Sequence, residues 1–135
     1  MRFEIMATIN NFEDLDIWKK SRELCQKIFI SLIQNSNCSQ NIKNQIDRSS
    51  ASVMDNLAEG FEREGNKEFI NFLSMSKGSC GEVRSQLVRA FDRNFINEHE
   101  FNDLKKDYAD LSKMISGFMK YLKTIEHNGN KFNRL

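Results

Sequence analysis

Three cysteines, two histidines and two acids are the residues best placed by type to do chemistry: Cys25, Cys38, Cys80, His99, His127, Glu59 and Glu82. A thiol nucleophile needs a histidine or a cationic neighbour to lower its pKa. A structural zinc needs paired ligands, commonly Cys-x-x-Cys, and none of the three cysteines is spaced that way. An odd cysteine count also argues against a disulfide framework; these side chains read as small buried hydrophobes in a reducing compartment. A di-iron bundle needs two Glu-x-x-His pairs, and neither histidine follows a glutamate by three. A Ser-His-Asp site needs a central histidine, but His99 sits at a helix start and His127 in the tail. Gly78-Ser79-Cys80-Gly81 lies inside a helical period, not after a strand, so it is no phosphate loop. The chain reads as non-enzymatic, with no metal and no cofactor.

The elements that would position these residues are helices. The 135 residues contain no proline, so nothing forces a helix to end internally. Apolar residues recur at steps of three and four in four segments. The first reads Leu15, Trp18, Arg22, Cys25, Phe29 and Leu32, behind Asn11 or Asp14 as N-cap. The second reads Ile42, Ile46, Ser49, Val53, Leu57 and Phe61, behind Ser39, and Gly65 is placed as its C-cap. The third reads Phe69, Leu73, Ser76, Cys80, Val83, Leu87 and Ala90, behind Asn66. The fourth reads Phe101, Leu104, Tyr108, Leu111, Ile115, Phe118, Leu122 and Ile125. Asn97 with Glu100 makes a capping box at its start. Breaks are expected near Asn35 to Cys38, Gly65-Asn66 and Phe95 to Asn97. The expected architecture is all-α: an up-down-up-down antiparallel four-helix bundle over residues 12–126. An N-terminal extension (1–11) and a flexible tail (127–135) flank it.

Charge is nearly balanced, at 20 Lys and Arg against 19 Asp and Glu. No basic block marks a nucleic-acid footprint. No apolar run reaches the length of a membrane span, and Met1 to Asn10 lacks the apolar core of a signal peptide, so a cytoplasmic location is expected.

Polar and tiny residues interrupt the second and third helices: Arg48, Ser52, Asn56, Glu59 and Gly60, then Gly78, Ser79, Gly81, Glu82 and Gln86. Two mid-helix glycines cost about 1 kcal/mol each, so a close helix contact is expected at Gly78 and Gly81. Folding the hairpin about Gly65 brings Glu82 to the level of Arg48, which predicts a partly buried Arg48–Glu82 pair fixing register. For Glu59 the expected partners are helix-end amides or Ser and Asn groups. Ile17, Leu24, Ile28, Phe72, Phe95, Met114 and Met119 lie beside the apolar stripes, and this surplus predicts a homo-oligomer.

Several motifs together resemble one family. Phe12-Glu-Asp-Leu15-Asp-Ile-Trp18 resembles a Phe-x-x-Leu-x-Val-Trp entry to a first helix. Gln45-Ile-Asp-Arg48-Ser-Ser-Ala-Ser52 and Asn56-Leu-Ala-Glu59-Gly60-Phe61 resemble the start and end of a second. Lys67-Glu-Phe69-Ile-x-Phe72-Leu73 and Gly78-Ser79-x-x-Glu82-x-x-x-Gln86-Leu87 resemble a third. The family is that of bacterial four-helix-bundle proteins encoded by intervening sequences in 23S rRNA genes, with relatives among the accessory proteins of diversity-generating retroelements. The chain departs from it at Val53-Met54, where Ile-Pro is frequent, and at Asp47, where a second basic residue is frequent. The resemblance implies a homopentameric ring and no enzyme activity. For retroelement members it also implies binding to a reverse transcriptase and to RNA or DNA. The cations expected to serve such binding are Lys19, Lys20, Lys43, Arg63, Lys67, Arg84, Arg89 and Arg93, with Arg48 in support. The alternative is a self-assembling structural protein.

Overall fold

The computed structural model describes residues 9–127. Most of the expected N-terminal extension and all but the first residue of the expected tail lie outside them. A single 3-10 turn, Phe12–Asp14, leads into four helices: α1 (Asp16–Ile28), α2 (Gln40–Glu62), α3 (Asn66–Asp92) and α4 (Glu98–His127). There is no strand among the described residues.

The helix starts follow from side chains able to satisfy first-turn amides. The Ser39 hydroxyl accepts from the Ile42 N–H at 3.3 Å, and the Asn97 side chain accepts from the Glu100 N–H at 2.8 Å. The α2–α3 turn departs from the expected one. Gly65 is extended at φ −100° and occupies the N-cap of α3, while Asn66 is that helix's buried first residue. A left-handed residue closes a different helix: Asn94, at φ 62°, lies beyond the end of α3. Asparagine tolerates that region better than most side chains.

α1 runs on into a π turn over Phe29–Ile33, closed by the Gln34 N–H on the Phe29 carbonyl at 2.9 Å. Its buried face is Ile17, Ser21, Leu24 and Ile28, continued by Leu32 in the π turn. The expected stripe through Trp18, Arg22 and Cys25 is thus one residue out of phase. One residue is 100° of helix rotation, and the observed face avoids burying Arg22. Ile17, Leu24 and Ile28 therefore serve the chain's own core.

The other three stripes fall as expected. The core joins Leu57, Phe69, Leu73, Cys80, Leu87, Leu104, Tyr108, Leu111 and Ile115, all exposed by 1% or less. Phe69 is wedged edge-on between Phe61 of α2 and Phe118 of α4, at centroid distances of 6.1 and 5.4 Å. α2 and α3 pack closely, as do α3 and α4, and α1 bridges α2 and α4. α2 and α4 therefore sit on opposite corners of the bundle.

Candidate functional site

The α2–α3 seam is where polar residues and close backbone approach coincide. Gly60 lies against α3: a Cβ there would sit 2.7 Å from the Phe72 Cβ and 2.9 Å from the Phe69 Cδ1. Further along the seam, the Ser76 hydroxyl donates to the Val53 carbonyl at 2.7 Å. The Ser52 and Ser79 hydroxyls meet at 2.8 Å. Asn56 donates from Nδ2 to both the Ser52 carbonyl and its hydroxyl, each at 2.9 Å. Arg89 of α3 bonds the Gln45 side chain of α2. The Ser76–Val53 and Ser52–Ser79 bonds fix how α2 and α3 slide on each other, because each ties a backbone or short side chain to a definite level, and Asn56 holds the Ser52 hydroxyl from within α2.

Asn56, Gly60 and Ser79 are thus brought together along one seam. The rest of the expected polar cluster is not. Arg48 and Glu82 are both exposed, and the described residues hold no ion pair between them; each helix turns that residue to the outside. Glu59 pairs along its own helix with Arg63 at 2.7 Å rather than with amides or hydroxyls. Gly78 is exposed, with nothing within 4 Å of a Cβ, and a Cβ at Gly81 would touch only the end of Arg84 at 3.8 Å. The close contact expected at Gly78 belongs to Gly60. The Gln86 Oε1 is buried without a hydrogen-bond partner.

A second polar layer crosses the middle of the bundle. Cys25 of α1 donates to the Ser50 hydroxyl of α2 at 3.7 Å. The Tyr108 hydroxyl of α4 is buried without a partner, among the thiols of Cys25 and Cys80. Burial pushes the phenol's ionisation well up, and the nearby thiols add to this. Burial likewise pushes the Cys80 thiol up to about 12 and raises that of Cys25. Near neutral pH both are thiols, the unreactive form. Among the described residues no group of His, Cys, Asp and Glu is arranged to hold a metal.

The eight cations expected to meet nucleic acid are spread over α1, α2, α3 and the residues just after α2 and α3. Lys20 pairs with Glu23 at 3.6 Å on α1, and Lys19 is exposed beside it. Arg63 pairs with Glu59 and lies 4.9 Å over the Phe72 ring. Lys67 and Arg93 stand exposed at opposite ends of α3, about 39 Å apart at 1.5 Å per residue. Lys43, Arg84 and Arg89 are half-buried. Sequence reasoning missed Lys27, which reaches across from α1 to Asp107 at 2.6 Å and Asp103 at 2.9 Å on α4. It also missed the lysines of α4, whose seven-residue recurrence at Lys106, Lys113 and Lys120 was the available signal.

The class defined by this geometry is an all-helical bundle protein whose interior polar groups brace helices. Within that class, a sequence profile places it: the profile of the 23S rRNA-intervening sequence proteins matches residues 13–117, and the chain belongs to that family. Among solved structures it is similar to a protein of unknown function from the S23 ribosomal protein family of Bacteroides thetaiotaomicron, with 20% identity and a TM-score of 0.70 over 77% of this chain and 98% of that one. This likeness is one of fold. Curated proteins include no match.

Proposed function

We propose that this protein is a non-catalytic, self-assembling adaptor: an up-down-up-down bundle that forms a ring, in the cytoplasm, and holds nucleic acid or a nucleic-acid enzyme on its outer surface. The observation that carries the reading is the use of the interior polar groups. Asn56, Ser52, Ser79 and Ser76 bond one another or the backbone, and the core thiols are held protonated by burial. What remains for function is the surface. The alternating helix direction is supported by the Asn35 side chain, which donates to the Phe95 carbonyl at 2.7 Å and so ties the α1–α2 loop to the α3–α4 loop. The family resemblance supports a pentamer, and the resemblance to retroelement accessory proteins supports the association with nucleic acid. Symmetry multiplies each exposed cation by the subunit number, so a chain of net charge +1 can still offer a basic surface.

The test is a gel-shift titration of the assembled protein with structured RNA and with duplex DNA at about 50 and 200 mM salt. Binding that weakens steeply with salt and shows little sequence preference is expected. No shift on either probe at the lower salt, with the assembly intact, favours a purely structural protein.

A further inference from the structure

Exposed charge leans opposite ways on the two helices that occupy opposite corners: acidic on α2, with Arg48 the exception, and basic on α4, with Glu98 and Asp103 the exceptions. The outer face of α2 carries Asp47, Asp55 and Glu62; that of α4 carries Lys105, Lys113 and Lys120. All six are exposed, and among the described residues none of them makes an ion pair within the chain. The intervals match: eight residues then seven on α2, and eight then seven on α4. That is about 12 Å and then 10 Å along each axis.

The levels match too. Ser50 and Tyr108 meet in the layer around Cys25, and Phe61 and Phe118 meet on Phe69. Those pairs set the levels of the two helices, with an offset of 58 positions at one level and 57 at the other. The same offset takes Asp47 to Lys105, Asp55 to Lys113 and Glu62 to Lys120. It also takes Ala51 to Ala109 and Ala58 to Ser116, four half-buried small residues lying between the charges. Small residues facing small residues let helix axes approach at the near end of the usual 8–10 Å range. Arg48 falls opposite Lys106, whose charge Asp110 already matches at 2.8 Å.

We propose that the outer face of α2 in one copy docks on the outer face of α4 in the next, parallel and in register, pairing Asp47 with Lys105, Asp55 with Lys113 and Glu62 with Lys120. The occupant of each face is thus a second copy of this chain, and the inference rests on the self-assembly proposed above. A phosphate backbone would use the α4 lysines but would give no reason for an acidic face of equal spacing on α2. The contact joins two different patches, so it is heterologous and repeats from copy to copy. Because the pairing needs no shift along the helices, successive copies lie at one level, and the ring proposed above closes if the rotation between copies divides a full turn. Charge complementarity of this kind sets register and partner more than it sets affinity.

The experiment is light scattering on the full chain at micromolar concentration, with circular dichroism to confirm that each variant is folded. One variant carries Lys105→Glu, Lys113→Glu and Lys120→Glu; another carries Asp47→Lys, Asp55→Lys and Glu62→Lys. Each alone is expected at the monomer mass of 15.8 kDa. A chain with all six changes is expected to regain the wild-type mass. If the wild type is itself a monomer, self-assembly fails and this interface with it. If the wild type assembles and both triple variants keep its mass, assembly stands but on another face, and the interface is overturned. It is also overturned if the six-fold chain stays monomeric after both triples dissociate, or if the α4 triple keeps its mass and loses only RNA binding.

Discussion

The α2–α3 seam and the α1–α4 seam hold the same bundle together by different physics. The first is close and neutral: Gly60 lets α3 ride against the backbone of α2, and Ser76, Ser52 and Ser79 bond across it in the interior. The second meets at its rim through Lys27, with 37% of that side chain exposed, and its aspartates Asp103 and Asp107. A shallow cleft lies there, lined in part by Ile30, Ser31 and His99. A seam built on shape should respond to a methyl group and ignore salt; a seam built on exposed charge should do the reverse.

The largest effect is expected at Gly60. Alanine puts a methyl 2.7 Å from the Phe72 Cβ, where neither backbone can yield cheaply. Overpacking of this kind costs about 1–3 kcal/mol, against a helix-propensity gain of about 1 kcal/mol. Gly60→Ala should therefore lower the melting temperature, and Gly60→Val should lower it further. A melt unchanged for both would mean that the seam is looser than its geometry. Ser76→Ala comes next. It deletes a buried bond to the Val53 carbonyl and should cost about 1 kcal/mol by urea denaturation, independent of salt.

Gly78 is the control on the same helix. With open space around it, Gly78→Ala should stabilise the bundle by up to about 1 kcal/mol, the helix-propensity difference. A loss of stability in a concentration-dependent melt would reveal a packed contact on that face between copies.

Both seams were legible in the sequence to different degrees. Period and caps located α2, α3 and α4, because Ser39 and Asn97 satisfy amides locally and the stripes are long. α1 was misread by one position, because Leu15 and Leu32 are buried and lie on the expected stripe. The choice between Trp18–Arg22–Cys25 and Ile17–Ser21–Leu24–Ile28 then rests on whether arginine is buried. Gly60 and Gly78 could not be ranked from sequence: both are helical glycines, and the phase of each helix decides which one faces the seam, where Gly60 meets Phe69 and Phe72 while Gly78 turns outward. The Arg48–Glu82 pair failed for the same reason. Level along a hairpin can be counted, but which way each helix turns a residue at that level depends on its phase. Lys27 was invisible because its partners are about 80 positions away and the contact depends on the α1–α4 packing.

The smallest effect belongs to that rim. Lys27→Met should cost at most about 1 kcal/mol, as exposed pairs do, and the difference should shrink at high salt. Its pH dependence follows from both partners. Hydrogen bonds donated to Asp107 and then Asp103 hold the Lys27 ammonium above its ordinary range, so its contribution is full below the unfolded lysine value, about 10.4, and fades as pH rises through the folded one. The Lys27 hydrogen bond holds the Asp103 carboxyl below its ordinary range, so that contribution is full above about 3.9 and fades as pH falls through the folded value. Chemical denaturation of wild type and Lys27→Met should therefore differ by a constant amount between about pH 5 and 9 and converge outside that window. A gap that persists at pH 3 would mean that Lys27 acts through its aliphatic stem against the α1–α4 core, which would make the second seam one of shape as well.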